Sequence, residues 1–385
     1  MIPYGKQDIN QHDINAVIEV LKSEYLTQGP VVPEFEKAIC QYTGAKYGVA
    51  VNSATSALHI ACLALGVGKG DVVWTTPISF VASANCALYC GAEIDFVDID
   101  ECTFNISILK LEEKLSEKRI NNQPLPNVII PVHMAGQSCD MKAIYKLSKE
   151  YGFKIIEDAS HAIGAKYKNK SVGGCRYSDI TVFSFHPVKI ITTAEGGVAV
   201  TNNADLSQKM CLLRSHGVTR DEKELLENHG PWYYEQKILG FNYRLTDIQA
   251  ALGLSQMERL DEFVEQRKQI SNKYLKELNS LPIELPITDT DSQSSWHLFI
   301  TKLNLDEIEK SHSQIFTELR IAGLGVNLHY MPIYRQPYYQ HLGFSVGYCP
   351  IAEDYYSRAI SIPIFHSMTE KDQKHVVSVM ARVLA

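Results

Sequence analysis

The chain has 385 residues, 45% of them hydrophobic and 21% charged, with a formal net charge of −7. That balance suits an ordinary globular protein of one large and one smaller domain and argues against a general nucleic-acid binder. No apolar run approaches a membrane span, so no membrane partner is expected. The start Met-Ile-Pro-Tyr-Gly-Lys-Gln-Asp lacks a basic n-region and an apolar core, and the nine cysteines include no Cys-x-x-Cys pair. Free thiols and a cytoplasmic location are the expectation.

Taken in chain order, Ile14, Val17, Ile18 and Leu21 recur at helical spacing, with Asp8 or Asn10 as the cap. Gly29-Pro30 breaks that helix, and a second one runs near Pro33 to Tyr42. Tyr47 to Asn52 reads as a short apolar strand feeding Ser53-Ala54-Thr55-Ser56 into a helix N-terminus. Such a turn is either an anion cradle or a plain capped strand-to-helix connection.

Strands follow at Asp71 to Thr76, Glu93 to Asp98, Asn127 to Val132 and Lys154 to Asp158, with helices opening after Pro77 and over Met141 to Tyr151. This alternation predicts an α/β fold with a mainly parallel sheet covered on both faces. Ligands of such sheets bind at the carboxyl ends of the strands. Gly66 to Gly70 lies between a helix and a strand, the reverse of a phosphate-gripping loop, and reads as a helix end. His133, His161 and His186 lack ligand spacing, so no metal is expected.

Lys189 is the only lysine between Lys170 and Lys209, and Phe183, Phe185, Val188, Ile190 and Ile191 surround it. Desolvation there would favour the neutral amine that condenses with an aldehyde, although a lysine snorkelling at a strand end fits equally when taken alone. Asp158 at a strand end either caps the next turn or pairs with a cationic ring nitrogen. A phosphate cradle, a carboxylate and a lone lysine, in that chain order on an α/β sheet, are what pyridoxal 5'-phosphate (PLP) chemistry requires. Past Thr201 come a helix over Asp205 to Arg214, a polar connection over Asp221 to Gln236, and a helix from Asp247 to about Leu278. The expected division is a large cofactor-binding domain over 1–245, a bridging helix over 246–280 and a smaller α+β domain over 281–385.

Asn52-Ser-Ala-Thr-Ser-Ala-Leu, Thr76-Pro-Ile-Ser-Phe-Val-Ala, Ser184 to Gly197, Leu213-Arg-Ser-His-Gly and Asn242 to Gly253 together resemble the DegT/DnrJ/EryC1/StrS sugar aminotransferases over nearly the whole chain. That resemblance implies a PLP-dependent transferase of fold type I. It casts Lys189 as the covalent anchor and proton shuttle, and Asp158 as partner of the pyridine nitrogen. Ala54, Thr55 and Ser184 would hold the phosphate, Phe80 would stack on the ring, and His161 stands where the family often has glutamine. Asn242 would complete the phosphate site of a neighbouring subunit, implying a homodimer with shared active sites. Substrate would meet Tyr4, Glu24, Tyr25, Leu26 and Thr27, and His329, Tyr330 and Met331. The implied reaction moves an amino group from L-glutamate to C4 of a UDP-linked 4-keto-6-deoxy-N-acetyl-L-hexosamine. Rival readings are a UDP-4-ketopentose or other nucleotide-sugar aminotransferase and a non-catalytic binding or regulatory protein on the same fold.

Overall fold

The computed structural model describes residues 1–385. Its centre is a seven-stranded sheet of β1 (Tyr47–Val51), β2 (Val72–Thr75), β3 (Glu93–Phe96), β4 (Val128–Ile130), β5 (Lys154–Asp158), β6 (Ile180–Ser184) and β7 (Gly197–Thr201). The spatial order is β1-β7-β6-β5-β4-β2-β3, and only β7 runs against its neighbours. Alternation along each strand feeds apolar cores on both faces of the sheet. Val49 and Val51 join one, with Val128 and Ile130, while Ala50 and Ile129 face the other side.

Helices cover both faces: α1 (Gln11–Lys22), α2 (Val31–Thr43), α3 (Ala54–Ala64), α4 (Ala82–Tyr89), α5 (Ile108–Ile120), α6 (Met141–Tyr151), α7 (Ala204–Arg214), α8 (Asp247–Met257) and α9 (Leu260–Glu277). Asn10 caps α1 in a capping box with Asp13, as one of the two expected caps. The helix does not bury its expected stripe, however. Ile14 and Leu21 are exposed, Val17 and Ile18 are half-buried, and the buried residues are Val20 and Asp13, whose carboxylate accepts from Ser255 Oγ at 2.6 Å, Gln256 Nε2 at 2.8 Å and Arg259 Nη2 at 2.6 Å. A fully hydrogen-bonded carboxylate thus docks α1 where periodicity pointed to aliphatic packing. The single helix expected from Asp247 to Leu278 is also two, because α8 ends at Met257 and Arg259 departs from helical geometry before α9 begins.

The C-terminal stretch has its own antiparallel sheet of β8 (Ile283–Glu284), β9 (Phe299–Leu303) and β10 (Ala359–Ile362). Helix α10 (His312–Ile321) and the last helix, Glu370–Leu384, close a separate apolar core around Phe299, Leu319 and Val379. Other residues of this stretch, including Leu298, Tyr334 and Tyr355, pack into the core of the large sheet. Residues 327–330 therefore reach the strand ends. The N-terminus is held in the same place, since Ile2–Pro3 pairs in parallel with Leu324–Gly325. No helix is long and apolar enough to cross a membrane.

Candidate active site

The carboxyl ends of β1, β5 and β6 open into a cavity of about 810 Å³. Each strand end delivers a different chemical group. From β1 the chain passes into α3, where the Ser53 side chain accepts from Ser56 N and fixes the first turn. The N–H groups of Ala54 and Thr55, which line the cavity, have no intrahelical acceptor and are free for an anion. Register places Gly197 of β7 opposite both Val51 and Ser184, so the Ser184 hydroxyl stands beside this helix end. A Cβ on Gly197 would lie 2.5 Å from the Ala54 nitrogen, so glycine permits the close approach.

Asp158 ends β5 and is buried. Its Oδ1 accepts from Ser160 N at 3.1 Å and its Oδ2 from Ser83 Oγ at 2.7 Å, leaving lone pairs on both oxygens for a third donor. Lys189 follows β6 in a turn held by its N–H to the His186 carbonyl at 2.9 Å. Burial lowers the Lys189 amine from 10.5 to about 8, while the Asp158 carboxylate pulls weakly the other way. The neutral amine is thereby brought within reach of physiological pH.

His161 is held neutral: burial depresses it well below its usual range, and the nearby Lys189 amine adds to the effect whenever it is protonated. Its Nε2 lies 3.3 Å from the Tyr330 hydroxyl, whereas its Nδ1 is buried without a partner. Burial likewise takes His329 down to about 3, and its Nδ1 meets Ser361 Oγ at 2.9 Å. Tyr4 packs on His329 with ring centroids 5.0 Å apart, and Phe80, 61% exposed, faces Tyr330 at 6.4 Å. An aromatic rim therefore surrounds the lysine.

The cavity brings together Tyr4, Ala54, Thr55, Phe80, Asp158, His161, Ser184, Lys189, His329 and Tyr330. Within one chain it does not include Glu24, Tyr25, Leu26, Thr27, Met331 or Asn242. Residues 24–27 are exposed and tied to the start of α8 through the Asp247 N–H to the Leu26 carbonyl and a Thr27–Thr246 bridge. Asn242 is exposed and bridges to Ser215. Ser79, Ser83, Glu195 and Asn327 also line the cavity and escaped the sequence reading. For the serines a signal existed: they stand four apart, on either side of Phe80 and Ala82, at the opening of a helix.

The residues present fit PLP. Unpaired N–H groups and a hydroxyl suit a phosphate, a buried carboxylate with free lone pairs suits a cationic ring nitrogen, and an amine shifted toward neutrality suits an aldehyde. The partnerless His161 Nδ1 supplies a further polar atom at the site.

Fold and site together define a PLP-dependent aminotransferase. The chain belongs to the DegT/DnrJ/EryC1/StrS aminotransferase family, which matches residues 7–381. It is 41% identical over 387 aligned residues to the UDP-4-amino-4,6-dideoxy-N-acetyl-beta-L-altrosamine transaminase of Campylobacter jejuni, covering 100% of this chain and 98% of that protein. Among solved structures it superposes on Helicobacter pylori PseC, an aminotransferase of pseudaminic acid biosynthesis, with a TM-score of 0.90, 33% identity and coverage of 100% and 99%. Streptococcus pneumoniae Spr1654, solved in its PLP form, gives a TM-score of 0.88 at 30% identity, with both chains covered completely.

Proposed function

We propose that this protein transfers the amino group of L-glutamate to C4 of a UDP-linked 4-keto-6-deoxy-N-acetyl-L-hexosamine, the amination of pseudaminic acid biosynthesis. The observation that carries the reading is the convergence of lysine, carboxylate and helix N-terminus in one cavity, large for a ligand site and rimmed by Tyr4, Phe80 and Tyr330. Aromatic faces of that kind suit sugar and uracil rings. The substrate is supported by the likeness to the Campylobacter transaminase and to PseC. A cytoplasmic location suits a reaction that draws on glutamate and a nucleotide sugar.

When bound, PLP supplies an electron sink for the carbanion at the reacting carbon and stores the amino group between two half-reactions. Ala54 N–H, Thr55 N–H and the Ser184 hydroxyl would hold its phosphate, Asp158 its ring nitrogen, His161 its phenolic oxygen and Phe80 its ring face. Lys189, once displaced as the free amine, removes the proton from Cα of glutamate, and in the second half-reaction delivers one to C4 of the sugar. Neutral His161 and His329 place no positive charge beside that amine, which keeps it basic without a competing ammonium-like neighbour.

A homodimer is part of this reading. Asn242 would complete the phosphate site of the second subunit, and residues 24–27 and Met331 would reach substrate in the assembled pair. Exposed Leu226, Trp232 and Leu239, all near Asn242 in sequence, support such an interface.

The test is the visible absorbance of the purified yellow enzyme, challenged separately with the 4-amino-6-deoxy altrosamine nucleotide and with UDP-4-amino-4-deoxy-arabinose. Rapid bleaching by the first alone is expected. Bleaching by the second alone would move the enzyme to ketopentose amination, and bleaching by neither would overturn both substrates.

A further inference from the structure

Asp158 does not meet the cavity unaided. Ser83 Oγ lies 2.7 Å from Asp158 Oδ2, and Ser79 Oγ lies 2.7 Å from Ser83 Oγ. Ser83, in the first turn of α4, is 1% exposed and Ser79, just ahead of that helix, 5%. The direction of this chain of bonds is fixed by valence. An ionised carboxylate only accepts, and a serine has a single hydroxyl proton, so Ser83 donates to Asp158 and accepts the proton of Ser79. A serine in a helix commonly turns its hydroxyl back onto a carbonyl of its own helix. Here it reaches instead to a residue 75 positions later on another element.

The consequence is rotational. With the Ser160 N–H on one oxygen and Ser83 on the other, the carboxylate is pinned about its own axis, and its remaining lone pairs have fixed directions. Removing Ser83 leaves the group pivoting on one bond in a buried setting. The same stretch carries Phe80 between the two serines, so one short segment sets both a ring-facing aromatic and the carboxylate's aim.

We propose that Ser79 and Ser83 form a two-hydroxyl relay that orients Asp158 toward the cofactor's ring nitrogen, making both of them positioning residues for amino transfer. This rests on the assignment of the cavity as the PLP site. The experiment compares Ser83→Ala, Ser83→Thr and Ser79→Ala with the parent protein in three measurements: PLP affinity of the apoprotein, the pH at which bound PLP changes its visible absorbance, and kcat against KM. Ser83→Ala is expected to weaken PLP binding by about tenfold, the scale of one charge-assisted hydrogen bond. The absorbance transition should move upward by about one pH unit, because a ring that has lost its cationic charge no longer repels the neighbouring proton. kcat should fall more than KM changes. Ser83→Thr keeps the hydroxyl and should restore affinity to within about twofold of the parent. Ser79→Ala should shift the same transition in the same direction by less, since the bond to Asp158 survives. If Ser83→Ala does not fold, Ser79→Ala carries the test through that smaller shift.

A Ser83→Ala protein with parental affinity and an unmoved absorbance transition would overturn the relay alone. So would a folded Ser83→Thr no better than Ser83→Ala. Failure of the parent protein itself to take up PLP would instead overturn the assignment of the cavity.

Discussion

Two desolvated basic side chains in this protein serve opposite ends. Lys189 stands at the floor of the cavity, where burial takes its amine down to about 8. Arg267 lies in the joint between α9 and the C-terminal sheet, fully buried, with Nη1 3.2 Å from the carbonyl oxygens of Trp296 and His297 and 3.0 Å from that of Ile364. Burial lowers Arg267 too, to about 10, yet it remains charged at neutral pH. The arginine meets three carbonyls that would otherwise be unpaired and ties two elements together. The lysine has no such ring of acceptors, so its desolvation is spent on reactivity. Lysine suits the first task because its amine can lose a proton, and arginine the second because its guanidinium does not.

Breaking the pair at its functional end gives the largest effect. Lys189→Ala should lower amino transfer by about 10³-fold or more, the loss of the general base together with the covalent anchor. Retained steady-state turnover would remove the lysine from the chemistry. The same apoprotein should melt no lower than the parent, because deleting a desolvated amine removes a penalty of about 3 kcal/mol at neutral pH.

Arg267→Met probes the structural end. It should destabilise the chain by about 3 kcal/mol in denaturant melts, because buried carbonyls lose their donor. PLP affinity of the folded fraction should stay within about twofold of the parent. An undiminished melt would show that Arg267 ties nothing.

The smallest effect sharpens the contrast by pH. Only the neutral Lys189 amine captures PLP, so the capture rate of the apoprotein should rise about tenfold per pH unit below 8 and level off above it. The stability sign follows from the same shift. A base whose folded value is depressed binds its proton more weakly when folded, so the penalty is full below about 8 and fades between about 8 and 10.5. The melting difference between Lys189→Ala and the parent should therefore close across that window, and a rate flat with pH would sink the assignment of a shifted amine.

Much of this site could be read along the chain. Lys189, Asp158 and the Ala54–Thr55 turn each follow directly from a strand, and a strand end in a parallel sheet is a predictable place. Helix α6 and strand β5 have the expected bounds, since Asp140 caps the one and an aliphatic run makes the other. Helix α5 escaped the reading because it buries little more than Leu111 and Leu115 among charged residues, which leaves a faint periodicity. Helix α1 was foreseen, but its buried face was not, for Asp13 finds its partners on α8 and at Arg259, between α8 and α9.

What the sequence alone determined was chemistry and local geometry: which groups sit at strand ends and which serine, threonine or asparagine caps a helix. These depend on neighbours within a few residues. The tertiary structure decided which of those groups meet. Ser83 reaches Asp158, Tyr4 reaches His329 and Tyr330 reaches His161 only because the sheet order and the C-terminal stretch bring distant segments together. Hydrogen bonds act over about 3 Å and desolvation depends on every nearby atom, so the aim of a carboxylate and the basicity of a lysine are properties of the folded neighbourhood and not of the chain.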